Sequence, residues 1–352
     1  MYKRICFIMV LFLILNCFVF SQNGSSSEIA AEPAQKQGSL KALIGITLQP
    51  YAFWRSGQWV RHYPDNSYNY FSDKDGLVFD LDSNRFTTYE GELWHKKGFN
   101  VGISLDLDNN FVGKLYNFLG RVGYKNAAIR VSGGKLAGDA WWDGGYVSGQ
   151  PDSTNVDTKY LSVDLLIPMW WIKDNEQEGI YNFGRYFGLS YTRYEMPLEF
   201  QALTDDKWAY PVYEDTISFN TYGLIIGFET MNWQIITRRE GFFLWLYTQD
   251  TLFGGPIEIS DEGARRLSEA NPGKTITAKK FFLVGVQYDL TVGLGWSKQI
   301  GKSMLGVGLG YNISGRGMVT FGGGQPSDSE ITPQSFPYLF RHGVVLKAAF
   351  SR

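Results

Sequence analysis

Residues 281–296 read FFLVGVQYDLTVGLGW. From Phe282 onward the even positions are Phe282, Val284, Val286, Tyr288, Leu290, Val292, Leu294 and Trp296. The odd positions between them are Leu283, Gly285, Gln287, Asp289, Thr291, Gly293 and Gly295. Successive side chains of an extended chain point to opposite faces, so this segment is a strand with one apolar face and one mostly polar or small face. Eight apolar alternations in a row are long for a soluble sheet, whose strands average about 5 to 6 residues. They match the roughly 9 to 11 residues of a tilted strand that crosses a membrane.

The pattern spreads in both directions. Leu305, Val307, Leu309, Tyr311 and Ile313 alternate with Met304, Gly306, Gly308, Gly310 and Asn312, and Phe99, Val101, Ile103, Leu105 and Leu107 with Asn100, Gly102, Ser104, Asp106 and Asp108. The same reading gives twelve candidate strands, near residues 41–54, 74–82, 85–95, 98–108, 122–132, 157–170, 180–195, 216–237, 241–250, 280–297, 302–314 and 338–350. Their connections alternate in length: Asp82 to Asn84, Lys173 to Gly179, Thr237 to Gly241 and Lys298 to Gly301 are short, whereas Arg55 to Asp73, Ser132 to Val156, Met196 to Asp215, Thr251 to Lys279 and Gly315 to Pro337 are long. Short turns at one end and long loops at the other are what a membrane barrel shows, and an even count puts both termini at the short-turn end. Two features fit less well: the link from His95 to Gly98 is short on the long-loop side, and segment 216–237 is overlong. The expected fold is all-β, a closed antiparallel transmembrane β-barrel of twelve strands within a range of ten to fourteen, with short helices in its connections.

Two segments leave the period-2 pattern. Phe111, Leu115, Phe118, Leu119 and Val122 recur at helical spacing behind Asn109 and Asn110, which suit a helix start. This predicts a short helix at the short-turn end, either closing the barrel mouth or lying on the membrane. Ser260 and Asp261 predict the start of a second helix, through Ala264, Arg265, Leu267 and Ser268, that stops at Asn271, Pro272 and Gly273.

Hydrocarbon offers backbone groups no water, so a membrane sheet must close on itself, with one row of each strand facing lipid and the other the lumen. The lumen row then includes Asp80, Asp106, Asp108, Arg130, Asp164, Gln287 and Asp289. Trp170, Trp171, Tyr181, Phe183 and Trp296 sit beside short turns and would form an interfacial girdle.

At the start of the chain, Lys3 and Arg4 precede an uncharged stretch from Ile5 to Phe20, which gives way to Ser21, Gln22, Asn23 and Gly24. That layout predicts a signal peptide over residues 1–21, a flexible linker over 22–39 and a barrel over 40–352. A retained N-terminal anchor and a lipoprotein acylated at Cys17 remain open as other readings. Both cysteines, Cys6 and Cys17, lie in the leader, so disulfides and thiolate metal sites have no part in the mature chain. Glycine supplies 40 of 352 residues and aromatics 16%, and no later apolar stretch reaches helix-spanning length, which excludes a helical membrane protein. A formal net charge of -2 gives no reason to expect nucleic acid.

The last strand carries Phe340, His342, Val344, Leu346, Ala348 and Phe350 in alternation to the end of the chain. It resembles the C-terminal assembly signal of bacterial outer-membrane, porin-like β-barrels, an alternating strand that ends in Phe. It departs from that signal in the trailing Ser351 and Arg352 and in His342 at an apolar position. The resemblance is architectural and matches no particular family. It implies an outer-membrane address, a lipid bilayer around the wall and insertion by the barrel-assembly machinery through the C-terminal strand, and it implies no substrate.

Sites of chemistry are sparse. His62, His95 and His342 are far apart and none has a metal-ligand spacing with another. Gly301, Lys302 and Ser303 lack the earlier glycine of a phosphate loop, since that position is Trp296. No G-x-S-x-G elbow occurs, and the pairs Glu176 and Glu178, and Asp205 and Asp206, read as solvated turn residues. No enzyme, metal or cofactor is expected, although a hydrolase triad assembled from separate strands stays open. Among the loop aromatics, Trp54, Trp59, Trp141, Trp142 and Tyr146 either pack over the barrel mouth or stack on a ligand. The functional expectation is a narrow channel or transport barrel for a small solute. Its alternatives are a surface-structural or adhesin barrel acting through its loops, and a soluble secreted β-sandwich or lipocalin-like binder.

Overall fold

The computed structural model describes residues 40–56, 58–62, 68–72, 76–81, 85–95, 99–108, 115–124, 127–143, 154–169, 185–203, 210–229, 240–270, 275–276, 279–321, 330–334 and 337–351. The expected signal peptide and linker lie outside them. The elements open with β1 (Leu40–Ser56), a small hairpin of β2 (Gln58–His62) and β3 (Tyr68–Ser72), and β4 (Gly76–Leu81). There follow β5 (Phe86–His95), β6 (Phe99–Asp108), β7 (Leu115–Tyr124), β8 (Ala127–Asp143), β9 (Thr154–Pro168), β10 (Arg185–Leu203), β11 (Tyr210–Glu229) and β12 (Gly241–Glu258). The chain ends with α1 (Asp261–Ala270), β13 (Thr275–Ile276), β14 (Lys280–Ile300), β15 (Ser303–Phe321), β16 (Glu330–Gln334) and β17 (Pro337–Ser351).

Twelve strands close into a ring, as expected. From β5 to β12 each pairs with its neighbour in sequence, then β12 with β14, β14 with β15 and β15 with β17. β17 pairs with β1, Leu43 standing opposite Ala349, and β1 meets β5 on its other edge. Every pairing in the ring is antiparallel, and because β1 joins β17 to β5 the ring closes without a free edge. Both ends of the described chain lie at one end of the ring, here the terminal end, together with a two-residue turn. That turn joins Ile300 to Ser303 through Gly301 and Lys302, with Gly301 at φ 61, the positive value a two-residue hairpin requires at its first position.

The number twelve stands although two segments were misassigned. Segment 74–82 is β4, which is not one of the twelve. The helix expected over 111–122 is contradicted from Leu115 onward, where β7 runs, and the single strand expected over 122–132 is the end of β7 and the start of β8. A register shift between Asp106 and Leu107 opposite Asn117 and Leu115 explains the error. This β-bulge buries Tyr116 and Asn117 together and exposes Leu115 and Phe118. One extra residue turned a spacing of two into a spacing of three, which imitates a helix. With β7 in place, the short link after His95 joins the other short turns at the terminal end. The overlong segment corresponds to β11, which is itself long at 20 residues but runs from Tyr210 to Glu229, starting before the expected segment.

β4 takes a different part. β1 pairs with β5 from Leu40 to Gln49 but with β4 at Trp54 and Arg55, and β8 pairs with β7 from Ala127 to Gly134 but with β4 from Gly138 to Asp143. Above β5, β6 and β7, each of 10 residues, the one strand β4 closes the wall. Three strands give way to one, so a ring of twelve becomes a ring of ten toward the far end.

The outer surface is a belt to which all twelve ring strands contribute exposed apolar side chains, among them Ile44, Leu93, Ile103, Val122, Ile129 and Leu161. Leu189, Leu224, Leu244, Leu294, Leu309 and Leu346 continue it around the other half. Leu294 is 65% exposed and Leu309 56%, values that belong to a contact surface and not to a core. A continuous apolar belt far exceeds the patches a soluble monomer exposes, and its natural solvent is hydrocarbon. Among the outward charges, the Lys280–Glu258 pair belongs to the far ends of its strands, whereas the Lys159–Glu195 pair and Arg193 lie beside Leu161 at the edge of the belt. Trp296 faces outward near the terminal turn as expected of a girdle residue; Trp170, Trp171, Tyr181 and Phe183 lie outside the described residues.

Inside, glycine makes room for aromatics. Trp245 is fully buried, and a Cβ on Gly293 or Gly310 would collide with its indole, so these two glycines let the ring lie flat on the neighbouring strands. Far from this, α1 forms as its sequence predicts. Ser260 Oγ accepts the Gly263 amide at 2.9 Å, and the Ser260 carbonyl accepts the Ala264 amide at 2.9 Å, the bonds of an N-cap. Lys279 reaches Asp261 at 2.7 Å and holds its exposed carboxyl below the usual aspartate value.

Candidate functional site: the lumen

The inward rows converge on a cavity of about 400 Å³. Its floor, at the terminal end, is apolar. Leu43, Trp245, Met304, Val345 and Ala349 form one cluster, and Ala128, Leu166, Tyr186 and Ile225 another on the opposite wall. Trp94 packs against both and spans the lumen between them. These positions start or end their strands, so the sequence brings them to one level only when the ring closes.

Above the floor the lining is charged and paired. Arg130 Nε donates to Asp164 at 2.7 Å and its Nη1 to Gln249 at 2.7 Å, an oxygen that also accepts the Tyr186 hydroxyl at 3.0 Å. The other Asp164 oxygen accepts from Ser190 at 2.6 Å and Ser162 at 3.1 Å. Asp106 accepts from Thr88 at 2.6 Å, Asn117 at 2.9 Å and Arg341 at 3.0 Å. Lys347 pairs with Glu90 at 3.0 Å and lies 5.5 Å over the Trp245 ring. Arg121 pairs with Glu92 at 3.5 Å, and the Trp94 indole donates to the same carboxylate at 3.1 Å. Charge-assisted bonds of this kind offset the desolvation of their partners where an isolated charge would not be tolerated.

Five of the seven predicted lumen residues line this cavity: Asp106, Arg130, Asp164, Gln287 and Asp289. The side chains of Asp80 and Asp108 lie outside the described residues. The predicted stacking residues are placed only by backbone. Trp54 is in β1 opposite Leu339, Trp59 in β2 opposite Phe71, and Trp141 and Trp142 in β8 opposite Val78 and Leu77, so all four stand in strands and not in loops. Tyr146 lies outside the described residues. Glu90, Glu92, Arg121, Arg316, Arg341 and Lys347 escaped the sequence reading but line the cavity. The inward positions of the last strand could have given Arg341 and Lys347. Among the described residues no cluster of three potential metal ligands occurs.

The closed ring, the apolar belt and the polar lumen together define a membrane β-barrel. No protein-family model and no curated protein matches the sequence. Solved structures do: the outer membrane protease OmpT from Escherichia coli is 10% identical, over 91% of this chain and 99% of that one, with a TM-score of 0.28. A FadL homologue of Pseudomonas aeruginosa is 8% identical over 89% and 90%, with a TM-score of 0.25, and OpdO of Pseudomonas aeruginosa 7% identical over 88% and 97%, with a TM-score of 0.18. Likenesses this loose carry no argument about activity.

Proposed function

We propose that the chain is an outer-membrane channel or transport barrel for a small solute, held shut at its terminal end. The observation that carries this is the cavity itself: about 400 Å³, within the roughly 300–1,000 Å³ of small-ligand sites, walled by polar rows and floored by an apolar cluster around Trp94 and Trp245. The leader-like N-terminus and the C-terminal strand support an outer-membrane address with insertion by the barrel-assembly machinery. Short turns at the terminal end support a periplasmic position for it. The reading assigns no catalytic activity.

The pairing of nearly every interior charge favours a second reading, a surface-structural barrel whose lumen is filled for rigidity. Planar-bilayer recordings of the refolded full-length protein separate the two. The channel reading predicts rare openings for the wild type and steady conductance for the Trp94→Ala/Trp245→Ala double variant. A folded double variant that stays silent supports the structural barrel.

A further inference from the structure

Ten charged side chains line the cavity, five acids and five bases. Four of each are matched: Arg121 with Glu92, Arg130 with Asp164, Arg341 with Asp106 and Lys347 with Glu90. Arg316 and Asp289 are left over. Arg316 donates to the neutral Gln287 and is clasped by the rings of Tyr194, Tyr160 and Phe253 at 5.2, 5.5 and 5.9 Å. Among the described residues no carboxylate pairs with it. Asp289 accepts from the neutral Asn312 at 2.6 Å. Lys347 and Arg130 are near enough to attract it, but each is bound to its own carboxylate.

These two do not neutralise each other by contact. Arg316 stands opposite Gln287 and Asp289 opposite Ser314, so they are diagonal neighbours, and the Arg316 side chain is drawn away toward β9, β10 and β12 by its aromatic clasp. One lumen charge of each sign thus faces the cavity with only neutral hydrogen-bond partners. Such charges are costly unless something of opposite sign meets them. We infer that the cavity is a site for a small dipolar solute, its carboxylate on Arg316 and its ammonium on Asp289. The inference rests on the reading that the lumen takes up a solute, and it names that solute's class.

Binding to the refolded full-length barrel in detergent, followed by saturation-transfer NMR, tests it apart from conduction. The probes are glycine, γ-aminobutyrate and 6-aminohexanoate, each beside its N-acetylated form, which is only an anion, and its amide, which is only a cation. The expected result is that at least one zwitterion binds about tenfold or more tighter than both of its singly charged analogues. Arg316→Gln should reduce that zwitterion to the level of its amide and Asp289→Asn to the level of its acetylated form, while Arg316→Lys keeps part of the preference. Unboiled and boiled gel mobility confirms that each variant is folded. Equal binding of all three forms, or no binding of any probe at millimolar concentration, overturns the inference. Conduction without zwitterion preference leaves the channel standing without this site, and zwitterion binding without conduction leaves the site standing without the channel.

Discussion

On β14 the same strand meets two solvents. Val292, Leu294 and Trp296 point outward and are 45%, 65% and 36% exposed, whereas Asp289, Thr291 and Gly293 point inward among polar partners and a packed indole. Every ring strand repeats the contrast, so the barrel is inverted relative to a soluble domain: apolar atoms outside, ion pairs within. The cohesion of the lumen above its apolar floor therefore rests on matched charges, while the outer wall is mostly apolar, with Arg193 opposite Leu161 and Asp250 opposite Ile226 among its charged exceptions.

The contrast can be broken from either side. The largest effect is expected from Asp164→Ala, which leaves Arg130 buried without its carboxylate. Urea titration of the protein refolded into phosphatidylcholine vesicles should show a loss of about 3–5 kcal/mol. Placing a charge on the outer row is next. Leu309→Arg should cost about 2–4 kcal/mol in the same titration, since Leu309 belongs to the lipid-facing belt. Smallest is Ser260→Ala at the α1 cap, about 1 kcal/mol, read as faster amide exchange in α1 with the barrel unchanged. A near-neutral Leu309→Arg would place that face in water and remove the distinction.

Sequence alone reveals this inversion where strands run without interruption. β14, β15 and β17 alternate without a bulge across the belt, so their faces can be read residue by residue. β7 was hidden because its bulge at Tyr116 and Asn117 gives Leu115, Phe118, Leu119 and Val122 the spacing of a helix. β4 was counted in the ring because its own alternation says nothing about its partners, and only its register with β1 and β8 shows it closing the wall above β5, β6 and β7.

The site was half legible for a related reason. Asp106, Arg130, Asp164, Gln287 and Asp289 alternate along their strands with apolar outward residues, and that alternation marks the inward row. Arg316 lies past Ile313, where Gly315 and Gly317 take the outward positions, so the apolar alternation that marks a strand stops before β15 does. Its aromatic clasp from three distant strands has no signature in sequence. The floor was equally out of reach, because Trp94 and Trp245 meet only when the ring closes.

The central claim is a closed barrel whose apolar belt faces lipid. Its most direct test is the mobility of the detergent-refolded mature chain on a semi-native gel, unboiled against boiled. The account predicts two different mobilities and a protein that stays in solution only with detergent or lipid. A detergent-free soluble monomer with a single mobility would contradict it.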